Sequence, residues 1–204
     1  FTLGGEASTD YTLTSTDEKV ATVENGVVTL VGGGSAKMVV AYNGSTVLEI
    51  PVTVVAYTPI RTVEEFEAIY SNQAGKYMLM NDLDFQGAEF SAFSGWNSAF
   101  DKPTFSAFTG IFDGNGYAIK NIVPKHDAAR HPSDTSTDAS IFGVIGNGGV
   151  IRNLKVIANI KYRGGVVASL VNVGGLVENC YVECTVASSV AGISASNCFG
   201  GIVF

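Results

Sequence analysis

Residues 108–122 read FTGIFDGNGYAIKNI. Glycines stand at Gly110, Gly114 and Gly116, an acid at Asp113 and a base at Lys120. Two readings compete: a ligand loop, or one rung of a repeated structure. The stretch recurs. GNGYAIKNI (114–122) aligns with GNGGVIRNL (146–154) and with NVGGLVENC (172–180). Each places glycines first, then an apolar residue, a polar residue, an asparagine and a second apolar residue. In this alignment Asn121, Asn153 and Asn179 are equivalent, with spacings of 32 and then 26 residues. A shorter element precedes each copy: TGIFDG (109–114), SIFGVIG (140–146) and ASLVNV (168–173). The first spacing is longer because it contains a polar insertion, PKHDAARHPSDTSTDA (124–139).

A period in the twenties, with short β-rich runs and glycine corners, is the pattern of a stacked solenoid. The physical reading is a parallel β-helix. One coil cannot bury its apolar face alone, whereas stacked coils share a core. Asn121, Asn153 and Asn179 are expected to form one buried ladder of amides up the stack. Glycines take corners that need positive φ, and Ile111, Ile119 and Ile122 are core candidates. Ahead of the repeats lies TVEEFEAIYSN (62–72). Thr62 with Glu65 forms a capping box, and Val63, Phe66, Ile69 and Tyr70 share a helical face. This helix is expected to cap the N-terminal end of the stack. KYMLMNDLDF (76–85) reads as strand.

Residues 1–57 alternate with period two. In STVLEIPVTVV, Leu48, Ile50, Val52 and Val54 face one side, and Pro51 points to a sheet edge. Asn25-Gly26 and Asn43-Gly44 read as tight hairpin turns. The expectation is a small all-β sandwich over 1–57, then a boundary near Tyr57–Arg61, and the β-helix over 58–204. GGIVF at the end reads as a coil cut short, so the stack is expected to be incomplete at the C-terminus.

Two family resemblances accompany this reading. TSTDEKVATVENGVVTLVGGGSAKMVVAY (14–42) resembles the bacterial immunoglobulin-like group 2 domain through Asp17, Val20-Ala21-Thr22-Val23, Asn25-Gly26-Val27-Val28 and the glycine run before Ala36. FTGIFDGNGYAIKNI, SIFGVIGNGGVIRNL and GGLVENCYVECTV look like the GLUG-type repeats of bacterial surface proteins. VEEFEAIYSNQAGKYMLMNDLDF (63–85) resembles the lead-in found before them. The resemblance implies a right-handed parallel β-helix on a secreted or surface-attached protein, and it does not imply an enzyme.

Composition narrows the function classes. The chain has 204 residues, is 46% hydrophobic and carries a net charge of −7. That balance excludes a basic nucleic-acid footprint and argues against docking on an anionic membrane. No run is long and apolar enough for a membrane-spanning helix. Cys180, Cys184 and Cys198 cluster near the end of the chain. They read as small core residues, with a disulfide among them left open. No cofactor or metal is expected.

The candidate chemistry is sparse. Gly114-Asn115-Gly116 lacks the ending of a phosphate loop and is not followed by a helix pattern. Asp82, Asp84 and Asp113 are the acids best placed to converge, as a carboxylate pair, a calcium site or corner residues bonded to local amides. His126, Asp127 and His131 lie in the polar insertion and are candidate ligand contacts. Trp96, amid Phe90, Phe93, Phe100, Phe105 and Phe108, is the aromatic expected to be exposed. Asn43-Gly44-Ser45 matches a glycosylation acceptor, and a hairpin turn accounts for it equally. The reading is a non-enzymatic extracellular module for adhesion or glycan contact, with surface glycans, host proteins or neighbouring subunits as partners. The alternatives are a phage virion decoration and a polysaccharide-degrading β-helix enzyme.

Overall fold

The structure is a computed structural model that describes residues 2–3, 6–7, 10–94, 107–125, 140–161 and 165–186. The chain divides into two compact units, Phe1–Tyr57 and Thr58–Phe204. Both are built almost wholly from strands. The first is antiparallel and the second parallel.

In the first unit, β1 (Thr2–Leu3) pairs with β2 (Glu6–Ala7). A three-stranded sheet has the order β3 (Tyr11–Ser15), β6 (Gly34–Tyr42), β7 (Ser45–Val54). β4 (Ala21–Glu24) and β5 (Val27–Leu30) form a separate hairpin. Both hairpin turns are Asn-Gly pairs with positive φ at each residue: Asn25 51° and Gly26 77°, Asn43 47° and Gly44 77°. Such turns match the right-handed twist of the strands they join, and Asn and Gly reach them at least strain. Val20, Ala21, Ala36 and Met38 make a small core, flanked by Leu13, Val23, Val52 and Val54.

The second unit opens with β8 (Thr58–Ile60) and α1 (Val63–Glu67). The Thr62 hydroxyl accepts from the Glu65 N–H and the Glu65 carboxylate accepts from the Thr62 N–H, which closes the capping box. The helix is shorter than the sequence pattern, because the chain tightens into a 3-10 turn at Ala68–Ser71. That change of pitch keeps Phe66 and Ile69 buried and leaves Tyr70 exposed rather than on the buried face.

Two parallel ladders follow. The first runs β8, β9 (Lys76–Leu79), β12 (Ile111–Asp113), β15 (Val150–Arg152), β18 (Leu176–Glu178). The second runs β10 (Leu83–Asp84), β13 (Ala118–Lys125), β16 (Lys155–Ile160), β19 (Tyr181–Val186), with β11 (Glu89–Ser91) also on β13. β14 (Val144–Ile145) pairs with β17 (Leu170–Val171). Successive copies of the repeat therefore lay one strand each on both ladders.

The register identifies the equivalent residues. Tyr77, Phe112, Ile151 and Val177 stand opposite one another. So do Leu83, Ile119, Val156 and Val182. These inward columns meet a cluster of phenylalanines centred on Phe66, whose ring lies 5.1–6.4 Å from those of Phe85, Phe90, Phe93, Phe112 and Phe142. Ile119 and Ile122 join this core, but Phe112 rather than Ile111 points into it.

Candidate functional site

Between β12 and β13 the chain turns through Gly114, Asn115, Gly116 and Tyr117. The next copy turns through Asn153 and Leu154 alone. The two corners stack: the Gly114 N–H donates to the Arg152 carbonyl and the Gly116 N–H to the Asn153 carbonyl. The glycine-rich loop thus spends these donors on the neighbouring strand, not on an anion.

The corner carries a column of polar side chains. The Asn179 amide donates to Asn153 Oδ1 at 2.7 Å, and the Asn153 amide donates to Asp113 Oδ1 at 3.0 Å. Asp113 also accepts from the Asn115 N–H at 2.9 Å and from Arg152 Nε at 2.8 Å. Burial, which leaves Asp113 5% exposed, pushes its carboxyl up. The donors from Asn153, Asn115 and Arg152 together outweigh that and hold it below the usual carboxylate range.

Asn121 is not part of this column. It donates instead to Asp84 Oδ1 at 2.8 Å. The single buried ladder expected from the sequence is therefore corrected: Asn153 and Asn179 stack on Asp113, and Asn121 stands apart. Nor is the column buried, since Asn153 is half-buried and Asn121 and Asn179 are exposed. The physical reason is backbone geometry. Asn121, Asn153 and Asn179 all have left-handed φ, 56°, 52° and 50°, a conformation Asn tolerates better than most residues. At Asn153 and Asn179 it turns a corner. At Asn121 it forms a bulge, because Lys120 lies opposite Ile157 and Ile122 opposite Ala158, leaving Asn121 unmatched.

The other acids are corner residues as well. Asp84 also accepts from the Gln86 N–H at 2.8 Å; its carboxyl is lowered by the Asn121 amide first and that N–H second. Asp82 pairs with Lys120 and accepts from the Ala118 N–H; the Lys120 hydrogen bond is the main cause of its lowered pKa. Among the described residues no three His, Cys, Asp or Glu side chains converge as a metal would require. Cys180 and Cys184 are unpaired and lie half-buried against the core. Burial raises the Cys180 thiol pKa. Trp96, His126, Asp127, His131 and Cys198 lie outside the described residues.

A shallow concavity of about 170 Å³ opens beside the column. Gly116, Asn153, Leu154, Lys155, Asn179 and Tyr181 line it. Ala118, Lys155 and Tyr181 are register partners across three neighbouring strands, with Ala118 buried and Tyr181 exposed. Lys155 Nζ lies 5.3 Å from the centre of the Tyr181 ring, and that tyrosine is 56% exposed. Tyr117, one residue before Ala118, is 37% exposed. The sequence reading passed over Lys155 and Tyr181. Their signal was their parity in KVIANI and YVECTV, where they alternate with core residues. The concavity offers an aromatic wall, an exposed amide and an ammonium group that makes no ion pair among the described residues.

Comparison with known proteins adds two findings. The family described as "Hyaluronate lyase, N-terminal beta-sheet domain" matches residues 7–54, within the antiparallel unit. No match to the immunoglobulin-like group 2 domain or to GLUG repeats accompanies it. Halomucin of Haloquadratum walsbyi is 25% identical over 170 residues, which covers 81% of this chain and 2% of halomucin. The chain thus spans a small fraction of that relative's length. No solved structure matches.

Proposed function

We propose that the chain is a non-enzymatic structural and glycan-contacting module of an extracellular surface protein. On this reading the first unit is an immunoglobulin-like sandwich and the second a right-handed parallel β-helix with α1 at its N-terminal end. The observation that carries the reading is the open concavity at Tyr181. It joins an exposed aromatic ring to an amide and an ammonium group on a rigid strand face, the combination suited to a sugar's apolar face and hydroxyl rim. The similarity to halomucin supports the setting. The match of residues 7–54 to a β-sheet domain named for a glycan-cleaving enzyme supports a glycan-related role. Surface glycans are the proposed partners, with host proteins and neighbouring subunits behind them. Nucleic acid and membrane insertion are not proposed; among the described residues no helix is long and apolar enough to cross a membrane.

Cleavage of polysaccharide gains nothing from the acids. Asp82, Asp84 and Asp113 are each engaged by lysine, asparagine, arginine or backbone donors. No finding favours the virion setting. The test is incubation with a panel of soluble polysaccharides, reading both binding and chain length. Binding with unchanged chain length is expected. New reducing ends or unsaturated products would overturn the non-enzymatic reading, and no binding across the panel would overturn the glycan role.

A further inference from the structure

We propose that the concavity at Tyr181 is a single-sugar subsite selective for pyranoses that carry a carboxylate, with Lys155 as the residue that selects them. The inference rests on the glycan-contacting reading above and names its site and ligand class. Three observations lead to it.

The first is the balance of charge around the concavity. Three cations of this unit are held by carboxylates. Lys120 is held by Asp82, Lys125 by Glu89 at 3.2 Å and Arg152 by Asp113 at 2.8 Å. Lys155 is the cation in the lining, and among the described residues it makes no ion pair. An anion placed there meets an ammonium that lies over the Tyr181 ring and helps, as the weakest of the causes, to hold the Asp82 carboxyl below its usual range.

The second is the state of the amides. Asn153 is engaged at both ends: its oxygen accepts from Asn179 and its nitrogen donates to Asp113. Asn179 is the last described member of the column and gives one N–H to Asn153. Asn179 is exposed and lines the concavity. The column below, anchored on buried Asp113, fixes the orientation of this amide in advance, so ordering it costs little on binding.

The third is shape. Gly116 has φ 80°, and a Cβ built on it would meet nothing within 4 Å. The floor there is open, and Leu154 beneath is buried. The volume suits one ring, not a folded oligosaccharide. Tyr181 supplies an exposed aromatic wall, and the Lys155 ammonium lies over its ring, 5.3 Å from the centre, where the carboxylate of a bound sugar would meet it.

The experiment uses the full chain and titrates it with trigalacturonate and with its neutral counterpart, galactotriose, for the wild type, Lys155→Gln and Tyr181→Ala. Binding is followed by calorimetry and by perturbed amide resonances. The expected result is a preference of about tenfold for trigalacturonate, shrinking as salt rises through screening. Lys155→Gln should abolish the preference, weakening trigalacturonate about tenfold more than galactotriose. Tyr181→Ala should weaken both ligands. Equal affinity for the two, or a preference that survives Lys155→Gln, overturns the acidic selectivity and leaves glycan contact standing. Binding that neither substitution alters overturns the site alone. No binding of either trisaccharide overturns the subsite, and the wider polysaccharide panel then decides whether glycan contact also falls.

Discussion

The two units pair their strands in opposite ways. In the first, most pairings join neighbours in sequence: β4 meets β5 across Asn25-Gly26, and β6 meets β7 across Asn43-Gly44, while β3 reaches over the β4–β5 hairpin to β6. In the second, strands meet residues far along the chain, as Phe112 meets Ile151 and Ile151 meets Val177. The cores differ accordingly. The first rests on valine, alanine and methionine, the second on a cluster of interlocked phenylalanine rings. Local pairing needs only a turn with the right hand. Distant parallel pairing must recover a larger loop-closure entropy, and it does so with large buried rings and polar corner columns.

The largest expected effect tests that contrast of cores. Phe66 is fully buried and touches five other phenylalanine rings. Phe66→Ala should cost the second unit about 4 kcal/mol, while Met38→Ala should cost the first about 2 kcal/mol. Urea melts of the two variants give the ratio. Equal losses would mean that the aromatic cluster packs no more tightly than the small core.

The next effect sharpens the role of the corner columns. Asp113→Asn removes the charge that Arg152 and Asn153 address and should cost about 2 kcal/mol at pH 7. The folded-state pKa of Asp113 is lowered. Its contribution is therefore full above the ordinary carboxylate pKa of about 4 and is lost as pH falls through the folded value. The gap between wild type and variant should narrow progressively below about pH 4. A gap that stays constant down to pH 3 would show that the carboxylate's charge is not what holds the corner.

A smaller effect separates the two uses of asparagine. Asn153→Ala loses two side-chain hydrogen bonds and puts alanine at φ 52°, so about 1–3 kcal/mol should be lost. Asn121→Ala, at an exposed bulge with one such bond to Asp84, also puts alanine at φ 56° and should cost about 1 kcal/mol less than Asn153→Ala, the difference being the second hydrogen bond. Comparable losses would return Asn121 to the same class as Asn153.

These pairs show what could be read in advance. The Asn-Gly turns, the Thr62–Glu65 capping box and the match of 146–154 to 172–180 follow from short-range chemistry, and the structure has each of them. The match of 114–122 to 146–154 misled. Asn121 and Asn153 share a left-handed backbone, so a pattern of residue types cannot tell a bulge from a corner. Only the register does, by setting Phe112 opposite Ile151 and leaving two more residues in the Gly114–Tyr117 corner than in the next. Lys155 and Tyr181 escaped notice for a related reason. Each is ordinary in its own strand, and they become a site only when parallel pairing lays them side by side.

The smallest effect on stability concerns how the antiparallel unit ends its sheet. β7 is the edge of its three-stranded sheet and exposes Val47, Leu48 and Ile50. An apolar edge of that kind invites another strand. Pro51 lies opposite Lys37, whose N–H donates to Thr16 Oγ1 and whose carbonyl accepts from the Thr16 N–H. Both backbone groups of Lys37 are thus turned toward the β3 side, so the ring nitrogen of Pro51 is turned toward the open edge. The edge lacks a donor at its middle, and the Lys37–Glu49 ion pair at 2.6 Å sets charges beside it. Pro51→Val restores the donor with a strand-forming side chain. Its melt should move by no more than about 0.5 kcal/mol, while sedimentation at rising concentration should reveal self-association absent from the wild type. A variant that sediments like the wild type would mean that the exposed valines and charges, not the missing N–H, govern this edge. The two units would then differ in pairing and core but not in how their sheets are protected.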